Sequence, residues 1–203
     1  ISPTVWKGQA RKVVHYPGLK EEIYLCGFQP PGDRTGRDPA RPVKVLFRPE
    51  GRFTHYHADH SRVLQETMRR HLAQQGNVSV TLLPRDPMQR DELSRRLAAL
   101  AIDFAVPIQT LDGPALIWDH DLIIGGGGTM TREAAVLQVP AYSFFAGPWG
   151  GVDQYLVMQK RLTRIREAGD VRKIEIAHRK PAPVRVSAQA LRFITAFLEE
   201  KLG

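Results

Sequence analysis

The sequence has very little cysteine and no long apolar segment. Cys26 is the only cysteine among the 203 residues, so the given sequence cannot form an intramolecular disulfide, which fits a reducing compartment. No apolar run approaches the roughly 20 residues that a transmembrane helix needs, and the front lacks the basic and apolar regions of a signal peptide. We therefore expect a cytoplasmic protein without a transmembrane segment. The first residue is Ile1, which is compatible with a fragment or a processed form.

Acidic residues are scarcer than basic ones. The sequence has 21 Asp and Glu against 29 Lys and Arg, which gives a net charge of +8. This balance suits nucleic acid, an anionic membrane surface or a phosphorylated substrate as partner. Many arginines, such as Arg69 and Arg95, fall on stretches with helical spacing, where charged side chains commonly face solvent. The charge alone therefore decides little, and we expect no nucleic-acid partner.

Short apolar segments alternate with helical patterns after residue 42. Strands are predicted at residues 43–47, 78–83, 104–108, 121–124 and 141–145, and helices at 60–74, 91–101, 114–118, 131–137 and 152–162, with a last helix capped by Ser187. Strands that are apolar on both faces indicate a parallel sheet covered by helices on both sides. The sequence thus predicts an α/β fold, a Rossmann-like three-layer parallel sheet.

Two segments are predicted along the chain. Residues 1–42 form a linker-like front segment with an irregular lead-in, and residues 43–203 form the Rossmann-like domain. Residues 30–42 are rich in Pro, Gly and charge, which fits either a linker or a long surface loop within one domain.

The most informative segment is a run of four glycines at residues 125–128, between a predicted strand and a predicted helix. Glycine lets the backbone approach a ligand closely, and the first N–H groups of a helix attract anions. Thr129 and Thr131 can add hydroxyl donors. At the carboxyl end of a parallel strand, this turn predicts a diphosphate site. It is neither a P-loop, since no Gly-Lys-Ser/Thr follows, nor the dinucleotide fingerprint, whose third glycine and later acidic residue are misplaced here.

Glu133 lies in the helix that follows this turn. A carboxylate there can accept hydrogen bonds from both ribose hydroxyls of a nucleotide. The alternative is a glutamate near a helix start that only complements the helix dipole. Because four glycines and Thr129 lie beside it in the sequence, we favour the ribose role.

Residues 125–147, GGGGTMTREAAVLQVPAYSFFAG, resemble the second domain of the glycosyltransferase-B fold. They are similar to the UDP-N-acetylglucosamine 2-epimerases, in which a Ser-Gly-Gly turn precedes a helix that bears a glutamate. By its Gly-rich turn, Thr-Met-x-Arg-Glu-Ala-Ala and later proline, the chain is identified as a member of an uncharacterised prokaryotic family, a domain of unknown function that shares this fold. The resemblance covers residues 13–203 and is strongest over residues 125–162.

This resemblance implies a nucleotide-sugar substrate, expected to be a UDP-sugar, bound by residues 43–203 with no cofactor or metal required. Gly127, Gly128 and Thr129 would face the diphosphate, Glu133 the ribose, and the backbone of residues 109–111 the base. Two arginines that each follow a strand would reach toward the phosphates, and a Trp-Gly pair would close over the sugar. The implied nucleotide-binding set is Arg48, Arg85, Leu111, Gly126, Gly127, Gly128, Thr129, Met130, Thr131, Glu133, Trp149 and Gly150.

The sequence departs from the epimerases in two ways. Gly126 stands where they have a serine, which removes one hydroxyl. In addition, the fold normally takes its acceptor site and often its catalytic base from a first domain, which this sequence does not contain. Residues 14–22 resemble the linker that enters the second domain. We therefore expect a separate N-terminal domain as partner and assign no catalytic residue, while transfer, epimerisation, binding without catalysis and the oligomeric state all stay open.

A second motif supports an alternative hypothesis. His55, His57, Asp59 and His60 match the His-x-His-x-Asp-His string of metallo-β-lactamase-like zinc hydrolases. In that family the string follows an apolar strand and precedes Gly-Gly, whereas residues 48–53 and 61–63 provide neither here. The plainer interpretation is a loop and helix start with Asp59 near the N-cap. Further metal ligands would have to be His120, Asp170 and His178.

Overall fold

The computed structural model describes residues 13–32, 38, 40–51, 58–108, 112–180 and 183–202, apart from the side chains of residues 58–61. One sheet contains six strands, β1 (Val43–Arg48), β2 (Val78–Leu82), β3 (Asp103–Ala105), β4 (Leu122–Gly125), β5 (Ala141–Ser143) and β6 (Thr163–Arg164). The helices are α1 (Lys20–Leu25), α2 (Ala58–Gln75), α3 (Pro87–Ala99), α4 (Gly113–Asp119), α5 (Gly128–Val136), α6 (Gly151–Met158) and α7 (Gln189–Leu202), with a 3₁₀ helix at Ala168–Lys173.

All neighbouring strands are parallel, in the order β3-β2-β1-β4-β5-β6. The chain first builds outward from β1 to β3 and then crosses to β4 on the other side of β1. Because the connections leave β1 and β4 in opposite directions, their carboxyl ends border a crevice, which is where open α/β sheets bind ligands. In the register of this pair, Arg48 lies opposite Gly125. The predicted Rossmann-like parallel sheet is confirmed.

The sheet is packed on both faces because its central strands are apolar at successive positions. Ile124 of β4 packs with Met68 of α2 and Leu97 of α3 on one face. Ile123, the preceding residue, packs with Leu156 of α6 on the other face. Fully burying one such side chain stabilises the fold by about 1.5–3 kcal/mol. Among the described residues no helix is both long and apolar enough to span a bilayer.

The structure differs from the predicted elements in the front segment and at element ends. The six-residue helix α1 lies where an irregular lead-in was expected, and it is too short for helical periodicity to reveal it. It is held by Leu19 and Leu25, which are buried in the same cluster as α5. Strand β3 ends at Ala105, before Pro107, which has no N–H for a ladder. Strand β6 and the 3₁₀ helix were not predicted.

Asp121, which directly precedes β4, joins three parts of the chain at the amino end of the sheet. Its carboxylate is fully buried and accepts hydrogen bonds from the guanidinium of Arg41 at 2.7 and 2.8 Å. It also accepts the N–H groups of Lys44 at 2.9 Å and Arg179 at 3.1 Å. Burial would raise the pKa of Asp121, but these hydrogen bonds to the charged form outweigh it and hold the pKa well below its ordinary value.

We expect Asp121→Asn to lower the free energy of unfolding by about 3–5 kcal/mol, because Arg41 would lose its charged partner in a buried pair. Since the folded-state pKa is depressed, the contribution of Asp121 is present above the ordinary aspartate pKa of about 3.9 and is lost as the pH falls below it. Urea denaturation between pH 7 and pH 3 measures both effects. The Asn variant should lack this part of the acid dependence.

The matched control is Asp91→Asn. The side chain of Asp91 is 61% exposed and pairs with Arg90 on the surface of α3, so its loss should change stability by less than about 1 kcal/mol. Equal destabilisation of the two variants would contradict the role assigned to Asp121.

Candidate functional site

The glycine-rich turn joins β4 to α5 at the crevice between β1 and β4. The N–H of Gly126 donates to the carbonyl oxygen of Arg48 at 2.9 Å, which holds the turn against the end of β1. Gly127 is the N-cap of α5 and has no side chain to accept a hydrogen bond from the first turn. By contrast, Asp86 and Asp112 cap α3 and α4 with their carboxylates. The N–H groups at the start of α5 therefore remain available to an anion.

Gly126 has no space for a side chain. A Cβ there would lie 2.7 Å from the backbone nitrogen of Glu50 and 2.7 Å from Cε2 of Phe144. Such contacts are too short for any side chain, which gives a physical reason for the absence of the serine found in the epimerase motif. Glu50 is itself buried, and its Oε1 accepts the N–H of Ala146 at 3.2 Å. The loops after β1 and β5 are thus joined directly beside the glycine turn.

The two threonines of this segment have different surroundings. Thr131 is buried, and its hydroxyl donates to the carbonyl oxygens of Gly127 at 2.8 Å and Gly128 at 3.0 Å. This differs from the expected role as a phosphate donor, because its hydroxyl proton is used within the turn. Thr129 is exposed in the first turn of α5, where its hydroxyl can reach a ligand.

Arg48 and Arg85 converge on the turn from the ends of β1 and β2. Arg48 donates to two carbonyl oxygens of the loop after β2 at 2.9 and 3.1 Å, and Arg85 donates to the carbonyl oxygen of Pro49 at 3.0 Å. Nη2 of Arg85 lies 2.7 Å from the position that a Cβ of Gly127 would occupy. Within the described ranges, neither guanidinium pairs with a carboxylate. Burial, and then the charge of Arg85, lower the pKa of Arg48. An anion bound here would stabilise the charged form of both arginines.

A cavity of about 590 Å³ opens beside the two arginines. Apolar walls with a few charged groups at one site suit an organic ligand with an ionic part. Leu111 and the rest of the turn at residues 109–111 lie outside the described residues. Glu133, Trp149 and Gly150 do not line this cavity. The described lining includes Arg48, Arg85, Asp86 and Arg90 as charged residues and Pro84, Pro107, Ile108, Leu116 and Met130 as apolar ones.

Glu133 lies in the second turn of α5 and is partly buried. Its Oε1 accepts a hydrogen bond from the hydroxyl of Tyr24 on α1 at 2.9 Å. Burial raises the pKa of Glu133, the hydrogen bond from Tyr24 opposes that rise, and the charge of Glu21 adds to it. The second oxygen, Oε2, has no hydrogen-bond partner among the residues that the structure describes, so it can accept a donor from a ligand.

Trp149 and Gly150 lie between β5 and α6, at the same edge of the sheet. The indole N–H of Trp149 donates to a carbonyl oxygen of its own loop at 3.1 Å, and the guanidinium carbon of Arg164 lies 4.4 Å from the ring centre. Gly150 is the N-cap of α6, again without a capping side chain. Arg132 of α5 and Asp153 of α6 form two hydrogen bonds of 2.8 and 2.6 Å. This pair fixes the starts of the two helices relative to each other.

The histidine string of the alternative hypothesis lies only partly within the described residues. His55 and His57 lie outside the described residues, and Asp59 and His60 belong to α2 without described side chains. Where the structure is described, no group of three or more His, Cys, Asp or Glu residues is arranged to hold a metal.

The other three candidate metal ligands are engaged in separate places. His120 is buried, with one ring nitrogen 2.7 Å from a carbonyl oxygen of α4 and the other 2.7 Å from the hydroxyl of Thr81. Asp170 accepts two backbone N–H groups and the ammonium of Lys173. His178 lies 3.6 Å from Asp121, at the amino end of β4. These contacts serve the fold.

Sequence reasoning missed two residues beside the turn. Glu50 follows β1 by two positions, and the strand-end argument that selected Arg48 could have found it. Tyr24 contacts Glu133 across 109 residues of sequence, and no local pattern indicates such a pair.

Comparison with known proteins agrees with this architecture. Residues 37–183 match the family described as "Protein of unknown function (DUF354)". The chain belongs to the DUF354 family. An uncharacterised protein of Methanocaldococcus jannaschii is 33% identical to it over 93 residues, which are 46% of this chain and 26% of that protein.

Two solved structures share the fold of this DUF354 chain. The UDP-GlcNAc 2-epimerase from Methanocaldococcus jannaschii aligns with a TM-score of 0.55 and 13% identity over 78% of this chain and 46% of the epimerase chain. A putative UDP-N-acetylglucosamine 2-epimerase from Listeria monocytogenes aligns with a TM-score of 0.53 and 14% identity, over 79% and 45%. The chain thus spans less than half the length of these epimerase chains. The similarity shows the fold, a Rossmann-like sheet like those of glycosyltransferase-B structures.

We expect Gly126→Ala to lower the free energy of unfolding by about 1–3 kcal/mol, because the added Cβ forces apart the loops after β1 and β4. Urea denaturation measures the change. Gly27→Ala is the control, since a Cβ at Gly27 meets no atom within 4 Å, and it should change stability by less than about 0.5 kcal/mol. A Gly126→Ala variant as stable as the wild type would show that the turn is not closely packed.

Proposed function

We propose that this DUF354 chain binds a nucleotide-sugar, with a UDP-sugar as the expected ligand, as part of a glycosyltransferase- or epimerase-like enzyme. The observation that carries the proposal is the glycine-capped start of α5, which lies against Arg48 and Arg85 at the crevice between β1 and β4. The names of two structural neighbours, a UDP-GlcNAc 2-epimerase and a putative UDP-N-acetylglucosamine 2-epimerase, agree with this ligand class.

The diphosphate is proposed to lie at the start of α5. The N–H groups of Gly128 and Thr129 face it with the positive end of the helix dipole, and the two guanidinium groups balance its charge. In a transfer or elimination step the diphosphate is the leaving group, so groups that stabilise its charge lower the barrier. This arrangement of donors requires no metal ion.

The remaining parts of the ligand are assigned to the surroundings of the turn. The 590 Å³ cavity beside Arg48 takes the base between its apolar walls. Glu133 accepts the ribose hydroxyls, for which its Oε2 is available. Trp149 and Gly150, on the α6 side of the turn, lie near the sugar.

Groups that act on the sugar are proposed to come from outside this chain. Because the chain spans less than half the length of the two epimerase chains that it resembles, we propose an N-terminal domain as the partner that provides the acceptor site and catalytic base.

We expect UDP to bind the purified chain without stoichiometric zinc. Glu133→Ala should weaken UDP binding by about tenfold, because the variant loses charge-assisted hydrogen bonds to the ribose. Isothermal titration with UDP and elemental analysis for zinc are run on the same sample. Loss of affinity without loss of melting temperature is expected, since burial disfavours the charge of Glu133 in the folded protein.

The control is Glu199→Ala on α7, an exposed glutamate, which should bind UDP like the wild type. Unchanged UDP affinity in Glu133→Ala would remove Glu133 from the ribose role. Stoichiometric zinc together with no UDP binding would contradict the proposed function and favour the histidine string as the active site.

We expect Arg85→Gln to weaken UDP binding by about tenfold but to leave uridine binding unchanged, because uridine has no phosphate to contact the guanidinium. The salt dependence of UDP binding should also decrease, since one charged contact is removed. Titrations with both ligands at two salt concentrations measure this. Arg95→Gln, on the exposed face of α3, is the control, and an equal loss for UDP and uridine would show that Arg85 does not contact phosphate.

A further inference from the structure

Helix α1 contributes a side chain to the surroundings of Glu133 from a distant part of the sequence. The hydroxyl of Tyr24 donates to Glu133 Oε1 at 2.9 Å, although the two residues are 109 positions apart. Tyr24 is 47% exposed, and its contact with Glu133 lies at the protein surface.

The position of Tyr24 is fixed by the packing of α1. Leu19 and Leu25, at the two ends of the helix, are 4% and 1% exposed and belong to the core cluster of α5. Oε2 of Glu22 accepts the N–H of Leu19 at 2.9 Å and so holds the first turn. Tyr24 therefore belongs to a helix whose two ends are packed in the same cluster as α5.

A second carboxylate, that of Glu21, lies close to this pair. Glu21 is 1% exposed, and neither of its oxygens has a hydrogen-bond partner among the described residues. Its charge acts on Glu133 in the direction that raises the pKa of Glu133, whereas the hydrogen bond from Tyr24 acts in the opposite direction. Burial and the hydrogen bond also raise the pKa of Tyr24 itself, so the tyrosine stays protonated and remains a donor.

We infer that Tyr24 is a positioning residue that orients the carboxylate of Glu133 for the two ribose hydroxyls and thereby sets the preference for ribonucleotides over 2′-deoxyribonucleotides. The inference rests on the proposed function. By holding Oε1, Tyr24 leaves Oε2 and the second lone pair of Oε1 directed at the ligand. Without it, Glu133 regains its rotamer freedom, and the cost of ordering it falls on the ligand.

The test compares UDP with 2′-deoxy-UDP by isothermal titration on wild type, Tyr24→Phe and Glu133→Ala. The wild type should prefer UDP by about tenfold, as expected for one hydrogen bond to a charged acceptor. Tyr24→Phe should reduce this preference to about threefold or less, because UDP uses both hydroxyl contacts and loses more than 2′-deoxy-UDP. Tyr155→Phe is the control, a 37% exposed tyrosine on α6, and it should keep the wild-type preference.

If Tyr24 had only a structural role, Tyr24→Phe would lower the melting temperature or weaken the binding of UDP and 2′-deoxy-UDP equally. An unchanged ratio of the two affinities would overturn the inference. If Glu133→Ala abolishes the preference while Tyr24→Phe keeps it, the inference fails and the proposed function stands. If the wild type binds neither nucleotide, the proposed function fails and the inference fails with it.

Discussion

The parallel pairing of β1 with β4 sets the glycine-rich turn against the end of β1, and the candidate site is built around that turn. The chain leaves β1 toward β2 and leaves β4 toward β5, so the strand order reverses between their carboxyl ends. Arg48 and Gly125, which pair in the register, are the last residues of the two strands. Arg48 and the glycine turn therefore lie side by side because β1 and β4 are neighbours in the sheet, although the two segments are far apart in the sequence.

Around this crevice, helix capping distinguishes two helix starts with a capping side chain from two that lack one. Asp86 and Asp112 use the N–H groups of α3 and α4 for capping, whereas α5 and α6 begin at Gly127 and Gly150 without a capping side chain. A glycine in place of a capping side chain costs about a few tenths of a kcal/mol of stability. The two helices with a glycine N-cap are the ones that border the glycine turn. This pattern is expected where a bound anion accepts hydrogen bonds from the free N–H groups.

Much of the fold could be predicted from the sequence, because apolar strands and helical spacing are local patterns. The glycine turn and Arg48 could be selected in the same way, since both follow a strand. What could not be predicted depends on contacts between distant segments. The hydroxyl of Thr131 turns inward to the carbonyl of Gly127, and Tyr24 reaches Glu133 from a helix too short to show periodicity.

The packing at Gly126 also limits how this site could change by mutation. Glu50 and Phe144 fill the volume that a side chain at position 126 would need. A serine there, as in the epimerase motif, requires the backbone at Glu50 to move away. It also requires the ring of Phe144 to rotate or to be replaced by a smaller side chain. Because one of the contacts is to the backbone nitrogen of Glu50, no replacement of the Glu50 side chain makes room for that serine. A change from one type of turn to the other therefore needs a displaced backbone as well as a different residue at position 126.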